Sequence, residues 1–242
     1  VDTEGVVPLS RTLDTLGPLA PDVRSAASAL EAMSELTGLV PARPPSRSQV
    51  RIAVPEGWDE DLRPEVEPAW RAVSQGLPRI RLPERRRLVD CGRVILFVEA
   101  AAFHRRRLEE HPEGFGADVL ALLRQAGQVT RQEYRAALIE QSRLRLEVEA
   151  AMQDWDALLV PATRGPAPRI GEAHDRGLLS DTTRPFNTTG QPVIVLPAPL
   201  PDGDGLPVGV QVVGHFGEEA GLVGVALALE AVFAAERSHL AT

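Results

Sequence analysis

Three runs, WDALLVPA (155–162), QPVIVLPAP (191–199) and GLPVGVQVVG (205–214), constrain the fold more than any other feature of this chain. Each is short, nearly continuous in apolar residues and bounded by Pro, Gly or Asp. A run of that length and makeup reads as a strand buried in a sheet, since a surface helix would place polar residues on one side of every turn. The second and third flank LPDGD, an Asp/Gly turn, and read as an antiparallel hairpin.

The rest of the chain supplies helices to cover such a sheet. QVRIAVP (49–55) reads as an alternating strand and RIRLP (79–83) as a short one. A helix near 63–75 lies between them, the pattern of a parallel pair with a crossover helix. A helix over 21–38 has Pro21 near its start, Asp22 in its first turn and Gly38 as its stop. A long helix over 84–110 carries apolar residues at Leu88, Cys91, Ile95, Val98, Ala102 and Phe103. Helices near 117–126 and 130–153 follow, the second opened by a capping box of Thr130 and Glu133. An apolar-striped helix closes the chain, with Glu218 and Glu219 at its positive end. The first twenty residues read as loop, as do two longer stretches, 39–48 and 164–181. Asn187, Gly190 and Pro192 read as a bend before a strand. The expectation is an α/β fold, a mixed sheet flanked by helices, with residues 1–242 forming one unit.

The net charge of −8 argues against a nucleic-acid or anionic-membrane surface. The arginine clusters RLPERRRLVD and FHRRRLEEH are flanked by carboxylates and read as solvated helix faces. Apolar runs fall short of the roughly 18 residues that a membrane helix needs. Cys91, the lone cysteine, reads as a small buried hydrophobe in an otherwise apolar run. One free thiol and the expected lack of a secretory leader point to the cytoplasm. Val1, in place of Met, is what a processed or truncated chain would show.

The chemistry is marked by a gap. All 26 basic residues are arginine, so no side chain here can offer a neutral amine as a base. The sequence holds no G-x-S-x-G elbow, Walker A loop or G-x-G-x-x-G. The histidines, His104, His111, His174, His215 and His239, form no metal-ligand pair, and His104 and His111 read as an exposed helix end. Asp154 and Asp156 flank Trp155 at a strand's edge, with no sign of a cleft that would raise a pKa. No metal or cofactor site is expected.

Two loops and their order carry a resemblance. GVVPLSRTLDTLGPLAPDVRSAASAL, EAAAFHR, GQVTRQEYRAAL, DALLVPATRGPAPRIGE and the ending TRPFNTTGQPVIVLPAP…DGLPVGVQVVG…GEEAGLVGVALALE together resemble the amidase signature family, nearly end to end. That family cleaves carboxylic amides, so the resemblance implies a small-molecule amide substrate and no cofactor; with the net charge, no direct nucleic-acid binding is expected. It implies the C-terminal part of the family's fold. It also implies a Lys–Ser–Ser mechanism, in which one serine attacks the carbonyl and a second relays its proton to a neutral lysine. The logic is that serine needs an adjacent base and the oxyanion needs preorganised donors.

In the family those groups precede a segment like the one at residue 5, so the resemblance places no catalytic residue in this chain. It makes the chain a fragment, inactive alone and with exposed apolar surface prone to self-association. Thr12, Leu13 and Asp14 would shape the pocket. Thr163, Arg184 and Asn187 would sit at the carboxyl ends of strands, where α/β folds bind ligands. Tyr134 would pack between helices. Many relatives carry a basic residue near Leu122 or Leu123, whereas here it is Arg124, so no glutamine-specific role transfers. Two other readings stand beside this one: an A-subunit-like component of glutamyl-tRNA amidotransferase, and a non-catalytic interaction module.

Overall fold

The structure, a computed structural model, describes residues 1–171, 176–200 and 205–240. Five strands form one mixed sheet: β1 (Ile52–Pro55), β2 (Arg79–Ile80), β3 (Ala157–Pro161), β4 (Val193–Pro197) and β5 (Gly209–Val213). Their order is β2-β1-β3-β5-β4. β1 runs parallel to both β2 and β3, and β5 runs antiparallel to both β3 and β4. The parallel pair and the antiparallel hairpin therefore form as the sequence predicts; the Asp202–Gly203–Asp204 turn lies outside the described residues.

Alternation along the strands divides the interior in two. Ile52, Val54, Leu159, Val210 and Val212 join one core, which is covered by α1 (Val23–Met33), α2 (Glu67–Ser74) and α8 (Glu219–Leu240). Ala53, Leu158, Val160 and Val213 join the other, under α3 (Arg85–Glu110), α5 (Arg131–Met152) and α7 (Arg184–Thr189). The register respects this division: Leu158 pairs with Val213, and Leu159 with Val212. Continuous apolar strands are the consequence, because both faces are covered. On α5, Leu144, Val148 and Met152 recur every fourth residue and are fully buried. Each such side chain contributes about 1.5–3 kcal/mol relative to exposure.

Helix ends follow local chemistry. The Thr130–Glu133 box opens α5: the Glu133 N–H donates to Thr130 Oγ1, and the Thr130 N–H donates to Glu133 Oε2 at 2.7 Å. Several local expectations need correction. Asp22 is the N-cap of α1 rather than part of its first turn, and the helix stops at Met33 instead of Gly38. There Ser34 turns its hydroxyl back to Leu30 O, ending the ladder early. The strand expected over 49–55 is shortened because Arg47–Gln49 coil into a 3-10 turn boxed by Ser46 and Gln49. The bend at Asn187 is a six-residue helix, α7, ended by Gly190 in the left-handed region at φ 84°. Finally, the apolar stripe of α3 is buried through Ile95, but Phe103 is 45% exposed, where the helix runs on past the sheet to meet α4 (Ala117–Ala126). The loop expected over 164–181 contains one turn of helix, α6 (Arg176–Ser180).

Candidate functional site

The carboxyl ends of β1 and β3 lie side by side, and three pieces of chain converge there. Trp58, three residues past β1, is buried, with its ring 5.6 Å from that of Phe186 on α7. Leu13, from the first loop, is buried in the same cluster. Asn187 Nδ2 donates to Leu13 O at 3.2 Å, tying the loop to α7.

The loop folds on itself through Asp14. Its carboxylate accepts the N–H groups of Leu9 and Ser10, while the Asp14 N–H returns to Ser10 O at 2.7 Å. This is side-chain capping of a turn. Glu99, on α3, then accepts four donors. Its Oε2 takes Ser10 Oγ at 2.7 Å and the Thr12 N–H at 2.9 Å. Its Oε1 takes Thr12 Oγ1 and, at 2.8 Å, the Tyr134 hydroxyl. Burial alone would raise the Glu99 pKa; the hydrogen bonds from Thr12, Ser10 and Tyr134 outweigh it and hold the carboxyl below its ordinary range.

α7 is placed by its neighbours as much as by its own sequence. Pro185 suits its first turn, and Thr188 and Thr189 direct their hydroxyls to Arg184 O and Pro185 O. Thr188 Oγ1 is also within 3.1 Å of Leu88 O on α3. Its terminal carbonyls, orphaned in a short helix, accept from α5: Gln141 Nε2 reaches Thr188 O, and Arg145 Nε reaches Thr189 O.

Of the expected residues, Thr12, Leu13, Asp14 and Asn187 therefore meet in one place, and Arg184 starts the helix that carries Asn187. Arg184 is exposed, with no ion-pair partner among the described residues. Thr163 belongs to the adjoining end of β3, where its hydroxyl donates to Gly165 O inside its own turn. Thr182 Oγ1 bonds Ala162 O beside it, and Gln211 Nε2 bonds both Pro161 O and Thr182 O. Arg124 lies exposed on α4 next to the buried Leu123.

Sequence reasoning missed Glu99 as the centre of this cluster, as well as Trp58 and Phe186. Tyr134 packs as expected, but its hydroxyl also extends the cluster. The available signal was a lone carboxylate inside the otherwise apolar VILFVEAAAF.

Among the described residues, no general base is assembled at this place. Ser10 is only 1% exposed and donates to a carboxylate that already takes three other bonds, so Glu99 is a poor proton acceptor. His104 stands edge-on to Phe103 and Phe115, His111 lies near Glu113, and His215 is held by Glu149 and Trp155 O. Asp156 accepts from the Arg51 N–H and pairs with its guanidinium, joining β1 to β3. His174 and the side chain of His239 lie outside the described residues. Among the described residues no group of three His, Cys, Asp or Glu side chains could hold a metal ion, and no helix is long and apolar enough to cross a membrane.

A cavity of about 360 Å³ adjoins this region, lined by Glu56, Trp58, Arg81, Leu82 and Arg85 among others. The larger hollow, about 930 Å³ between α8, Pro21–Asp22 and Pro44–Arg47, includes none of the expected site residues.

The family model described as Amidase matches residues 1–223. The 2-amino-5-chloromuconic acid deaminase of Comamonas testosteroni is 30% identical over 95% of this chain and 53% of its own length. The A-subunit of glutamyl-tRNA(Gln) amidotransferase from Roseobacter denitrificans is 28% identical over 93% of this chain and 56% of its own. A crystal structure of an amidase superposes with a TM-score of 0.85 at 32% identity, covering 96% of this chain and 56% of that one. The chain thus spans about half the length of the curated relatives it matches.

Proposed function

The chain belongs to the amidase family, and on that premise we propose that it forms the C-terminal portion of a hydrolase that cleaves carboxylic amides of small molecules. The lysine, the Gly/Ser-rich loop and both serines of the Lys–Ser–Ser mechanism are then encoded upstream of Val1. This chain supplies part of the pocket wall, through Thr12, Leu13, Asp14, Thr163, Arg184 and Asn187, and is inactive alone. The observation that carries the reading is coverage: nearly all of this chain corresponds to about half of each relative. The absence of any lysine from the sequence supports it, as does the engagement of Ser10 by a low-pKa carboxylate.

The test compares this 242-residue chain with the gene product that includes the upstream sequence, following ammonia release from a panel of amides. The expected result is turnover by the longer product only, lost when its upstream lysine or serine is substituted. Robust turnover by the shorter chain, abolished by substituting one of its own serines, overturns the reading. A start codon directly before Val1 would instead favour the stand-alone interaction module.

A second reading, an A-subunit-like component of a tRNA-linked amidotransferase, is favoured by the amidotransferase relatives. It predicts that the longer product works only with partner subunits. In either case, we propose that the exposed Val7, Leu9, Leu19 and the β4 edge residue Val195 are covered by the rest of the parent protein. The chain alone then self-associates, and a clean monomer in sedimentation at high concentration would reject this. The free thiol supports a cytoplasmic setting.

A further inference from the structure

We propose that Glu99 is a positioning residue for amide cleavage: it holds the Ser10–Asp14 segment of the pocket wall in register with α7, which carries Asn187. This rests on the hydrolase reading above. Among the described residues, four hydrogen bonds with Glu99 and Asn187 tie residues 9–14 to the rest of the chain, and the Tyr134 hydroxyl also reaches Thr12. Glu99 makes three of those four bonds. Its fourth partner is Tyr134 on α5, so the loop is fixed to α3 and α5 together.

The same two helices fix α7. Leu88 O on α3 lies against Thr188 Oγ1, and Gln141 and Arg145 on α5 bind the carbonyls of Thr188 and Thr189. Loop and helix are thus two walls mounted on one platform. The Asn187–Leu13 bond closes the circuit between them. Without Glu99 the loop retains its internal Asp14 turn and loses its register, because Asp14 bonds only within the loop. Displacement of about 1 Å in a wall that orients a scissile bond costs roughly a hundredfold in rate.

The choice of substitution separates charge from geometry. Glu99→Ala removes all four acceptor sites. Glu99→Gln can keep its oxygen on Ser10 Oγ and the Thr12 N–H while its amide donates to the Thr12 and Tyr134 hydroxyl oxygens, which accept as readily as they donate. The loop then stays in place, but the carboxylate no longer opposes ionisation of Tyr134.

Tyr134 is the only tyrosine in this chain, so phenolate absorbance reports on this residue alone. Its pKa stands above the ordinary 10.0, first from burial and then from the Glu99 bond. The titration midpoint should fall in both Glu99→Gln and Glu99→Ala, whereas amide hydrogen exchange over residues 9–14 should quicken in Glu99→Ala only. In the longer gene product, Glu99→Ala should lower kcat/KM about 10- to 100-fold, chiefly through kcat, and Glu99→Gln should recover most of the loss. An unmoved tyrosine midpoint, or unchanged exchange in Glu99→Ala, overturns the contact itself. Unchanged kcat and KM in folded, active Glu99→Ala overturns the positioning role. An unsubstituted product inactive on every amide overturns the hydrolase reading and the role that depends on it, while the titration and exchange results still stand as a separate outcome.

Discussion

The mounting of α7 on α3 depends on one missing methyl group, which makes Gly92→Ala a sharp test of the architecture. Gly92 is buried on α3 against Thr188. A Cβ there would come closer than 3.0 Å to Thr188 Oγ1, a separation that real Cβ atoms essentially never show. Either the helices part, or the threonine turns away and abandons its contacts with Leu88 O and Arg184 O. Parting overpacked helices costs about 1–3 kcal/mol. Leaving a hydroxyl on a residue 1% exposed without a partner costs about the same. Against this, alanine gains up to about 1 kcal/mol over glycine in helix propensity. The net expectation is a loss of about 1–2 kcal/mol.

Gly221 supplies the control. It lies on α8 with nothing within 4 Å of an added Cβ, so Gly221→Ala should stabilise the chain by up to about 1 kcal/mol. Urea unfolding gives both values. At about 2–4 °C per kcal/mol for a chain of this size, melting should drop by about 2–8 °C in Gly92→Ala and rise by a few degrees in Gly221→Ala. Thr188→Ala removes the obstructing oxygen, and the Thr188 Cβ itself sits an acceptable 3.4 Å from the new methyl. In that background Gly92→Ala should change sign and stabilise. If Gly92→Ala stabilises the unsubstituted chain as Gly221→Ala does, the close α3–α7 packing is wrong. If Thr188→Ala fails to relieve its cost, the named clash is wrong.

Two further expectations concern titration. His215 lies with Nδ1 2.8 Å from Glu149 Oε2 and Nε2 2.8 Å from Trp155 O; both partners only accept, so the geometry suits the protonated ring, which donates from both nitrogens. Burial alone would lower its pKa, but the Glu149 and Trp155 bonds outweigh that and raise it above 6.5, while Glu149, despite burial, is held below 4.5 by Gln191, His215 and Phe216. The His215 contribution to stability is therefore complete below pH 6.5 and lost as pH rises through the raised value; the Glu149 contribution is present above 4.5 and lost as pH falls through the lowered one. His215→Gln should flatten the alkaline decline in the urea midpoint, and an unchanged slope would refute the pairing. Cys91, pushed up to about 11 by burial first and by Glu140 second, donates to Ala137 O at 3.3 Å. A disulfide reagent at about pH 8 should therefore leave the folded chain unmodified and titrate one thiol after unfolding; rapid labelling of the folded chain would contradict its burial.

The parts of this fold that sequence reasoning anticipated are those whose cause is local or repeated. Residues 155–162 read as buried because a strand covered on both faces needs apolar side chains at every position, and β3 is fully buried. The Thr130–Glu133 box read correctly because both its partners lie within three residues. The end of α1 did not, since Ser34 competes for Leu30 O before Gly38 is reached. α7 read as a bend because RPFNTT is a poor helix by propensity. It holds its shape through carbonyls capped by Gln141 and Arg145, more than forty positions earlier in the chain. The site failed to read for the same reason. Thr12, Leu13, Asp14 and Asn187 could be grouped by resemblance, yet Glu99 draws its donors from 35 to 89 residues away.

That separation bears on how a wall of this kind keeps its shape. The first loop is too polar to hold itself by burial; Leu13 is its single fully inserted apolar anchor between residues 8 and 16. Hydrogen bonds to one ionised carboxylate replace the missing apolar contacts, and bonds to a charged group are worth about 1.5–3 kcal/mol where neutral ones are worth about 1. Four donors converging on the carboxylate hold its pKa down against burial, and the Tyr134 donor is in place while α3 and α5 stay packed through Arg87 with Glu140 and Glu147, and through Cys91 on Ala137. The geometry of the wall is thus inherited from the helix pair beneath it. Substitutions buried in the α3–α5 contact, far from any substrate, should alter the loop's hydrogen exchange before they alter that of β1 or β3.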